Sequence, residues 1–415
     1  MADHRSPRRA PLHLGRGTPP PSPVRSVYVH APFCPRRCFY CDFAVTVSEG
    51  GEMEGWLQAL SGELALVEEE GLFRLASTLG TLFVGGGTPS VLGPGAMRGL
   101  ARVLGPGRLR DPVLEWTAEA NPESFTREVA EGWALAGVNR ISLGAQSFHE
   151  GVLRWMGRLH GPPGTAQAVA RARAAGITNI SLDLIFGLPP SVKRDWDKDL
   201  DQAFSLEVPH LSLYGLTVEE GTPLARAVEE GRVPRPEEEQ YREEYLQACE
   251  KLADQGYLQY EVSNFALPGF EARHNQAYWE PDPYLGLGNG AHSHQHPLRR
   301  WNLREWAAYQ KALADGLFPG DSEEEIGPRE IRLERVWLGL RTDRGISLDG
   351  LPPRAVSVME GWVRTGLAVP QGGGIRLIPK GWVLLDQLAV ELDGALDGGF
   401  QEPPQGGNNG HGPGG

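Results

Sequence analysis

The chain has 415 residues, 40% of them apolar, enough for one large domain and a smaller one. Its formal charge of −13 excludes a broad nucleic-acid face, because phosphate binding needs clustered Lys and Arg. No apolar run reaches the roughly 18 residues of a membrane span, and the N-terminus lacks the apolar core of a secretory signal, so a cytosolic protein is expected.

Residues 1–24 are Pro-rich and are expected to be disordered. From residue 24 to about 265, short β-rich runs alternate with segments of helical period. The predicted strands are "VRSVYVHA", "TLGTLFVGGG", "VLEWTAEANP", "VNRISLGAQS", "TNISLDLIFGLP" and "HLSLYGLT". Helical stretches such as "EGWLQALSGELALVEEE", "TREVAEGWALAG" and "GTAQAVARARAAG" separate them. This succession predicts an α/β fold with a parallel sheet, open or curled into a barrel, in which ligand groups gather at the C-terminal ends of the strands. Those ends carry the cysteine loop, Gly85 to Gly87, Glu119, Gln146, Asp183 and Tyr214. One such residue is usually a turn or cap; several on one rim predict a site.

From about residue 300 the pattern changes to short helices and a hairpin, "GLAVPQGGGIRLIPKGWVLL", whose glycine run supplies the turn. The expected division is therefore 1–24 disordered, 25–300 the main domain, 301–392 a small helical domain with a wing, and 393–415 a disordered Gly/Pro tail. Both charge signs in "EEEIGPREIRLERVWLGLRTDRG" favour a protein contact or lid over DNA for the wing.

Three of the four cysteines, Cys34, Cys38 and Cys41, fall within eight residues of "VYVHAPFCPRRCFYCDF". C-x3-C-x2-C suits three corners of a cubane iron–sulfur cluster and leaves the fourth iron open. Pro32 and Pro35 lower the entropy of holding the loop ready. Structural zinc with His30 as fourth ligand is the alternative. Cys249 shares a predicted helical face with Tyr245 and Leu252 and reads as a core residue.

With Tyr40 before the last cysteine, this motif resembles the radical S-adenosylmethionine (SAM) superfamily. The resemblance implies a partial (β/α)6 barrel and a [4Fe–4S] cluster whose open iron binds SAM. "GGGTPS" after the second strand strengthens it. By similarity, Tyr28, Tyr40, Gly86, Gly87, Thr88, Glu119, Gln146, Arg158 and Asp183 are expected to contact SAM, with the glycines letting the backbone approach the ligand. The resemblance runs over roughly residues 25–385, through "EANPES", "NRISLGAQSF", "DLIFGLP", "YEVSNFA" and "YLGLGNGAHS". It is closest to the branch holding oxygen-independent coproporphyrinogen III dehydrogenases and the HemW-type heme chaperones.

Two departures favour the chaperones. Phe43 stands where the dehydrogenase pattern continues with a cysteine, and the first strand begins without a longer N-terminal segment. In "RHNQAYW", His274, Asn275, Tyr278 and Trp279 match the chaperones' HNxxYW motif, which implies a heme-binding histidine. A neutral imidazole is a good axial ligand and the aromatic rings offer flat apolar surface. A packed helix start with a hydrogen-bonded histidine is the competing reading. His292, His294 and His296 alternate and would share a face on a strand, as a metal site, or else form a polar loop. The implied partners are heme, acceptor apo-hemoproteins and a reductant, with a homodimer left open. The alternative function is radical decarboxylation of coproporphyrinogen III.

Overall fold

The computed structural model describes residues 23–396 apart from Glu49 and Pro281, in two compact units that divide between Pro328 and Arg329. The terminal segments expected to be disordered lie outside the described residues, except that the last helix, Leu385–Leu396, continues four residues past the expected start of the tail.

In the first unit the strands are β1 Ser26–Ala31, β2 Phe33–Cys34, β3 Thr46–Val47, β4 Thr81–Gly86, β5 Glu115–Ala120, β6 Arg140–Gln146 and β7 Asn179–Phe186. They continue with β8 His210–Gly215, β9 Leu258–Gln259, β10 Asn264–Ala266, β11 Tyr284–Leu287, β12 His292–Gln295, β13 Leu298–Asn302 and β14 Gly320–Glu325. Twelve form one sheet in the order β14-β13-β12-β11-β1-β4-β5-β6-β7-β8-β10-β9. The six strands expected from the sequence are β1 and β4 to β8. They run parallel and adjacent, with at least one helix in each crossover, as in a partial (β/α)6 barrel.

Alternation within these strands decides what each face does. Val27, Val29, Leu82, Val84, Trp116, Ala118, Ile141, Leu143, Leu182 and Leu211 are buried on one face. Each such side chain contributes roughly 1.5–3 kcal/mol of transfer free energy. The intervening positions, Tyr28, Phe83, Thr117, Glu119, Ser142, Asp183 and Ser212, line the other face. A period of two thus sets an apolar layer against a polar one.

The sequence reading missed a seventh parallel strand. β11 pairs with the free side of β1, Val27 opposite Leu285. It is only four residues long and contains Gly286, where a Cβ would sit 2.2 Å from the His292 carbonyl oxygen of the returning β12. The sheet also continues beyond the boundary expected near residue 300, because β14 pairs with β13 as far as Glu325. "GDSEEE" is wholly exposed and lacks the apolar alternation that marks a strand in sequence.

The second unit contains the helices Pro353–Arg364 and Leu385–Leu396 and a small sheet of β15 Ile346–Ser347, β16 Ala368–Gln371 and β17 Gly374–Leu377. The expected hairpin is β16–β17, turning through Gly372 and Gly373 at φ 54° and 83°. Arg332 pairs with Asp393 at 3.0 Å within this unit.

Candidate functional site

The cysteine loop leaves β1 and is held at both ends. β2 and β3 pair in parallel, and the Thr46 N–H donates to the Pro32 carbonyl at 2.7 Å. In between, Phe39 and Tyr40 pack on the apolar cluster of Val152, Met156, Ile185 and Leu224, which anchors the middle of the loop. All three thiols are free and half-buried. Burial, with smaller contributions from Cys41 and Cys38, pushes the Cys34 thiol up to about 11, so the three lie within electrostatic reach of one another. Burial raises Cys41 as well, again with a contribution from Cys38.

A chain of side-chain contacts spans the loop. The Cys34 Sγ lies 3.3 Å from Thr88 Oγ1, Asn121 Nδ2 donates to Thr88 Oγ1 at 3.0 Å, and Arg158 Nη2 donates to Asn121 Oδ1 at 2.5 Å. Arg158 Nη1 closes the chain on Cys38 Sγ at 3.7 Å. Arg158, expected to contact SAM, thus lies against a thiol while Nη2 also donates to the Gly144 carbonyl. Asn121 was quoted in "EANPES" but not singled out, because its role depends on partners 33 and 37 residues away.

The residues present fit an iron–sulfur cluster: one loop carries three soft donors, and the cationic Arg158 favours the thiolate form of Cys34. Among the described residues no three His, Cys, Asp or Glu side chains are already gathered at metal-holding distance. His30 does not complete a zinc set. Its Nε2–H donates to the Ala44 carbonyl at 2.9 Å and its Nδ1 accepts from the Tyr28 hydroxyl at 3.0 Å. Burial lowers its pKa to about 4, and the ring is neutral with both nitrogens engaged.

The glycine loop packs against this same core. Gly86 sits at φ 104°, and a Cβ there would meet the His30 ring at 2.2 Å. Its N–H donates to Glu119 Oε2 at 3.0 Å, while the Gly87 and Thr88 amides donate to the Ala31 and Phe33 carbonyls, each at 2.8 Å. The glycine requirement is therefore met by contacts inside the protein as well as by any approach to a ligand.

Glu119 is half-buried at the end of β5; burial, and then the charge of Asp183, raise its pKa to about 7. Asp183 accepts from Ser142 Oγ at 3.0 Å, and burial raises it too. Gln146 takes a left-handed φ of 65° where the β6–β7 register shifts, a conformation uncommon outside glycine.

The HNxxYW segment forms the helix Arg273–Trp279. Glu115 caps it, accepting from the backbone N–H groups of Arg273 and His274 at 2.9 Å each. His274 is 1% exposed. Its Nδ1 bonds Thr81 Oγ1 at 2.8 Å, its Nε2 bonds Tyr278 Oη at 2.9 Å, and its ring stacks on Phe83. Burial, with Arg140 adding to it, lowers its pKa to about 3. In this conformation neither nitrogen is open to a metal. Asn275 and Trp279 are half-buried beside it.

A cavity of about 580 Å³ opens at the C-terminal rim of β1, β4 and β5. Tyr28, Gly86 and Glu119 line one part; Asp42, Phe43 and Ala44 bring in the end of the cysteine loop; Tyr278, Tyr284, His292, Trp301 and Arg304 line the rest. Of the four HNxxYW residues only Tyr278 reaches it. The alternating histidines do not form a metal site among the described residues: His292 stacks on Trp301, and the His294 ring lies tilted against Tyr284. Cys249 is buried in the helix Glu238–Asp254, as its spacing implied.

Residues 28–203 match the Radical SAM superfamily, a group whose chemistry implies SAM and a [4Fe–4S] cluster. The chain is 36% identical over 390 residues to the heme chaperone HemW of Mycobacterium tuberculosis, covering 93% of this chain and 99% of that one. It is 34% identical over 392 residues to the heme chaperone HemW of Bacillus subtilis, covering 90% and 100%. The mitochondrial radical S-adenosyl methionine domain-containing protein 1 of Mus musculus is 32% identical over 429 residues, covering 97% and 96%. Among solved structures, coproporphyrinogen III oxidase (HemN) from Escherichia coli superposes with a TM-score of 0.75 at 22% identity over 92% of each chain, which establishes the shared fold. HemW relatives matching over nearly their whole length, together with the Radical SAM match, make this chain a member of the HemW family within the radical SAM superfamily.

Proposed function

We propose that the protein is a cytosolic heme chaperone that carries a SAM-binding [4Fe–4S] cluster, binds heme and passes it to apo-hemoproteins. The observation that carries this reading is the 36% identity to a heme chaperone over 99% of that protein's length. Cys34, Cys38 and Cys41 would hold the cluster, which when bound supplies one electron to the SAM sulfonium. Arg158, Asn121 and Thr88 keep the loop shaped around those ligands. Glu119 holds a proton near neutral pH and gives it up more readily once a cationic ligand enters beside it. Tyr28 and Gly86 line the same part of the cavity; with them, Tyr40, Gly87, Thr88, Gln146, Arg158 and Asp183 are proposed as SAM contacts on the family resemblance alone. A one-electron reductant and an acceptor apo-hemoprotein are the required partners, and a homodimer is compatible with this role. No helix among the described residues is long and apolar enough to cross a membrane, in keeping with a cytosolic site of action.

The test is anaerobic reconstitution with iron and sulfide, followed by heme titration and transfer to an apo-hemoprotein. A stable Soret band that moves to the acceptor is expected. Conversion of coproporphyrinogen III to protoporphyrinogen on addition of SAM and reductant would instead assign the dehydrogenase reaction. Phe43, 57% exposed at the cavity edge where that pattern has a cysteine, argues against it.

A further inference from the structure

A cluster that passes on one electron has to be refilled, and a protein donor refills it best where exposed surface comes up to the cluster's ligands. Between the first two thiols, Pro35, Arg36 and Arg37 are exposed. The helix Glu150–Met156 ends against the same loop. The Phe39 N–H donates to the Met156 carbonyl at 3.2 Å, Phe39 meets Trp155 edge-on at 5.4 Å, and Arg36 Nη1 donates to the Gly157 carbonyl at 3.4 Å. A Cβ on Gly157 would lie 4.0 Å from the Cys38 Cα. This junction of loop and helix end therefore brings outer surface up to a proposed cluster ligand.

The make-up of the junction departs from that of the chain. Against a formal charge of −13, it presents Arg36, Arg37 and Arg154. Arg154 shares its charge with Glu150 at 2.7 Å, and the loop's one acid, Asp42, is half-buried. Apolar side chains are left open on either side. Leu159, next to the Arg158 that reaches Cys38, is 49% exposed, and Val47, paired in register with Cys34, is 61% exposed. Open apolar groups beside cations, on an otherwise acidic molecule, suit a partner that is itself anionic.

Resting on the proposed cluster-bearing chaperone, we infer that this junction is the docking surface for a small acidic protein that carries one electron at a time. The carrier gives up one electron and the cluster held by Cys34, Cys38 and Cys41 takes it up, with no bond made or broken. The three arginines steer the approach, and Leu159 and Val47 supply the apolar contact. A small, weak interface is what such an exchange needs, because the spent carrier has to leave before the next one docks.

The experiment is stopped-flow reduction of the reconstituted full chain by photoreduced flavodoxin, an acidic one-electron carrier, for wild type, Arg154→Gln and the double variant Arg36→Gln/Arg154→Gln. The wild-type rate should fall at least ~10-fold as salt rises from ~50 to ~500 mM. At low salt the double variant should be ~10-fold slower than wild type, with Arg154→Gln, which lies outside the cysteine loop, in between. Photoreduced deazariboflavin, a small uncharged donor, should reduce all three chains at one rate. Iron content and the SAM-induced change in the cluster's electron paramagnetic resonance signal should also be equal. A flavodoxin rate indifferent to salt, or a double variant as fast as wild type, overturns the assignment. So does a double variant slowed equally toward deazariboflavin, because the arginines would then serve the cluster and not a partner. Calorimetric titration of oxidised flavodoxin onto the chain before reconstitution reads docking without the cluster. Salt-sensitive binding that weakens in the double variant is expected there, and its absence overturns the docking surface. A wild type that takes up its cluster but no heme overturns the chaperone reading and leaves the docking result standing.

Discussion

Glu63 and Glu119 are two carboxyls of one unit, each raised by burial to a pKa of about 7, yet they sit in unlike surroundings. Glu63, on the helix Met53–Glu70, is fully enclosed and accepts from the Gly288 amide at 2.7 Å, Asn302 Nδ2 at 2.5 Å and Tyr309 Oη at 2.6 Å. It ties that helix to the loop after β11, to β13 and to the helix Trp306–Ala314. Glu119 accepts from the Gly86 amide and otherwise faces the cavity. Equal titration therefore marks structure in one place and an open site in the other; what separates them is whether the acceptor positions are already filled.

Removing the groups on the open side should abolish function while sparing the fold. Replacing Cys34, Cys38 or Cys41 by Ala is expected to strip the protein of most of its iron after reconstitution, measured by iron and sulfide content, with unchanged circular dichroism. Asn121→Ala, which cuts the chain between Thr88 and Arg158, should weaken cluster retention by ~10-fold, as supporting contacts to metal ligands typically do. A variant that holds its cluster as firmly as wild type would show that the chain of contacts does not organise the loop.

On the closed side the expectation reverses. Glu63→Ala removes the acceptor shared by three buried donors, of which Asn302 Nδ2 keeps the Gly288 carbonyl, and should cost about 2–5 kcal/mol of stability, read from denaturant midpoints. Glu63→Gln keeps one acceptor oxygen and should cost much less.

The pH dependence of stability sharpens the contrast further. Below the ordinary carboxyl value of 4.5, Glu63 is neutral folded and unfolded, and its contribution is fully present. Between there and about 7 the unfolded chain ionises while the folded one stays protonated, so stability falls as pH rises. Glu63→Gln should flatten that slope by about 1–3 kcal/mol across the window. An unchanged slope would mean that Glu63 is ionised in the fold.

The smallest effect on stability belongs to Glu119→Gln measured below pH 4.5, where the carboxyl is protonated in the folded and unfolded chain alike, and it should be less than about 0.5 kcal/mol. Its consequence should appear in ligand binding instead: ~10-fold weaker SAM affinity from the lost charge, measured by the SAM-induced change in the cluster signal. A large loss of stability with normal SAM binding would move Glu119 to the closed class.

Much of this was legible in sequence because it is local. The six parallel strands announce themselves by β-rich runs bounded by glycine and polar turns, the β16–β17 hairpin by its glycine run, and the cysteine loop by thiols three and four residues apart. Strands β11 and β14 escaped because one is short and glycine-containing and the other is acidic and exposed throughout.

The sequence by itself determined the fold class, the spacing of the three loop thiols and the strand ends that form the rim, since each depends on neighbours a few residues apart. Only the tertiary structure decided which polar groups are spoken for. His274 is closed off by Thr81, 193 residues away, and Glu63 by the amide of Gly288, 225 residues away. Availability is set by such distant partners, because a buried polar atom takes whatever acceptor or donor the packing brings to it.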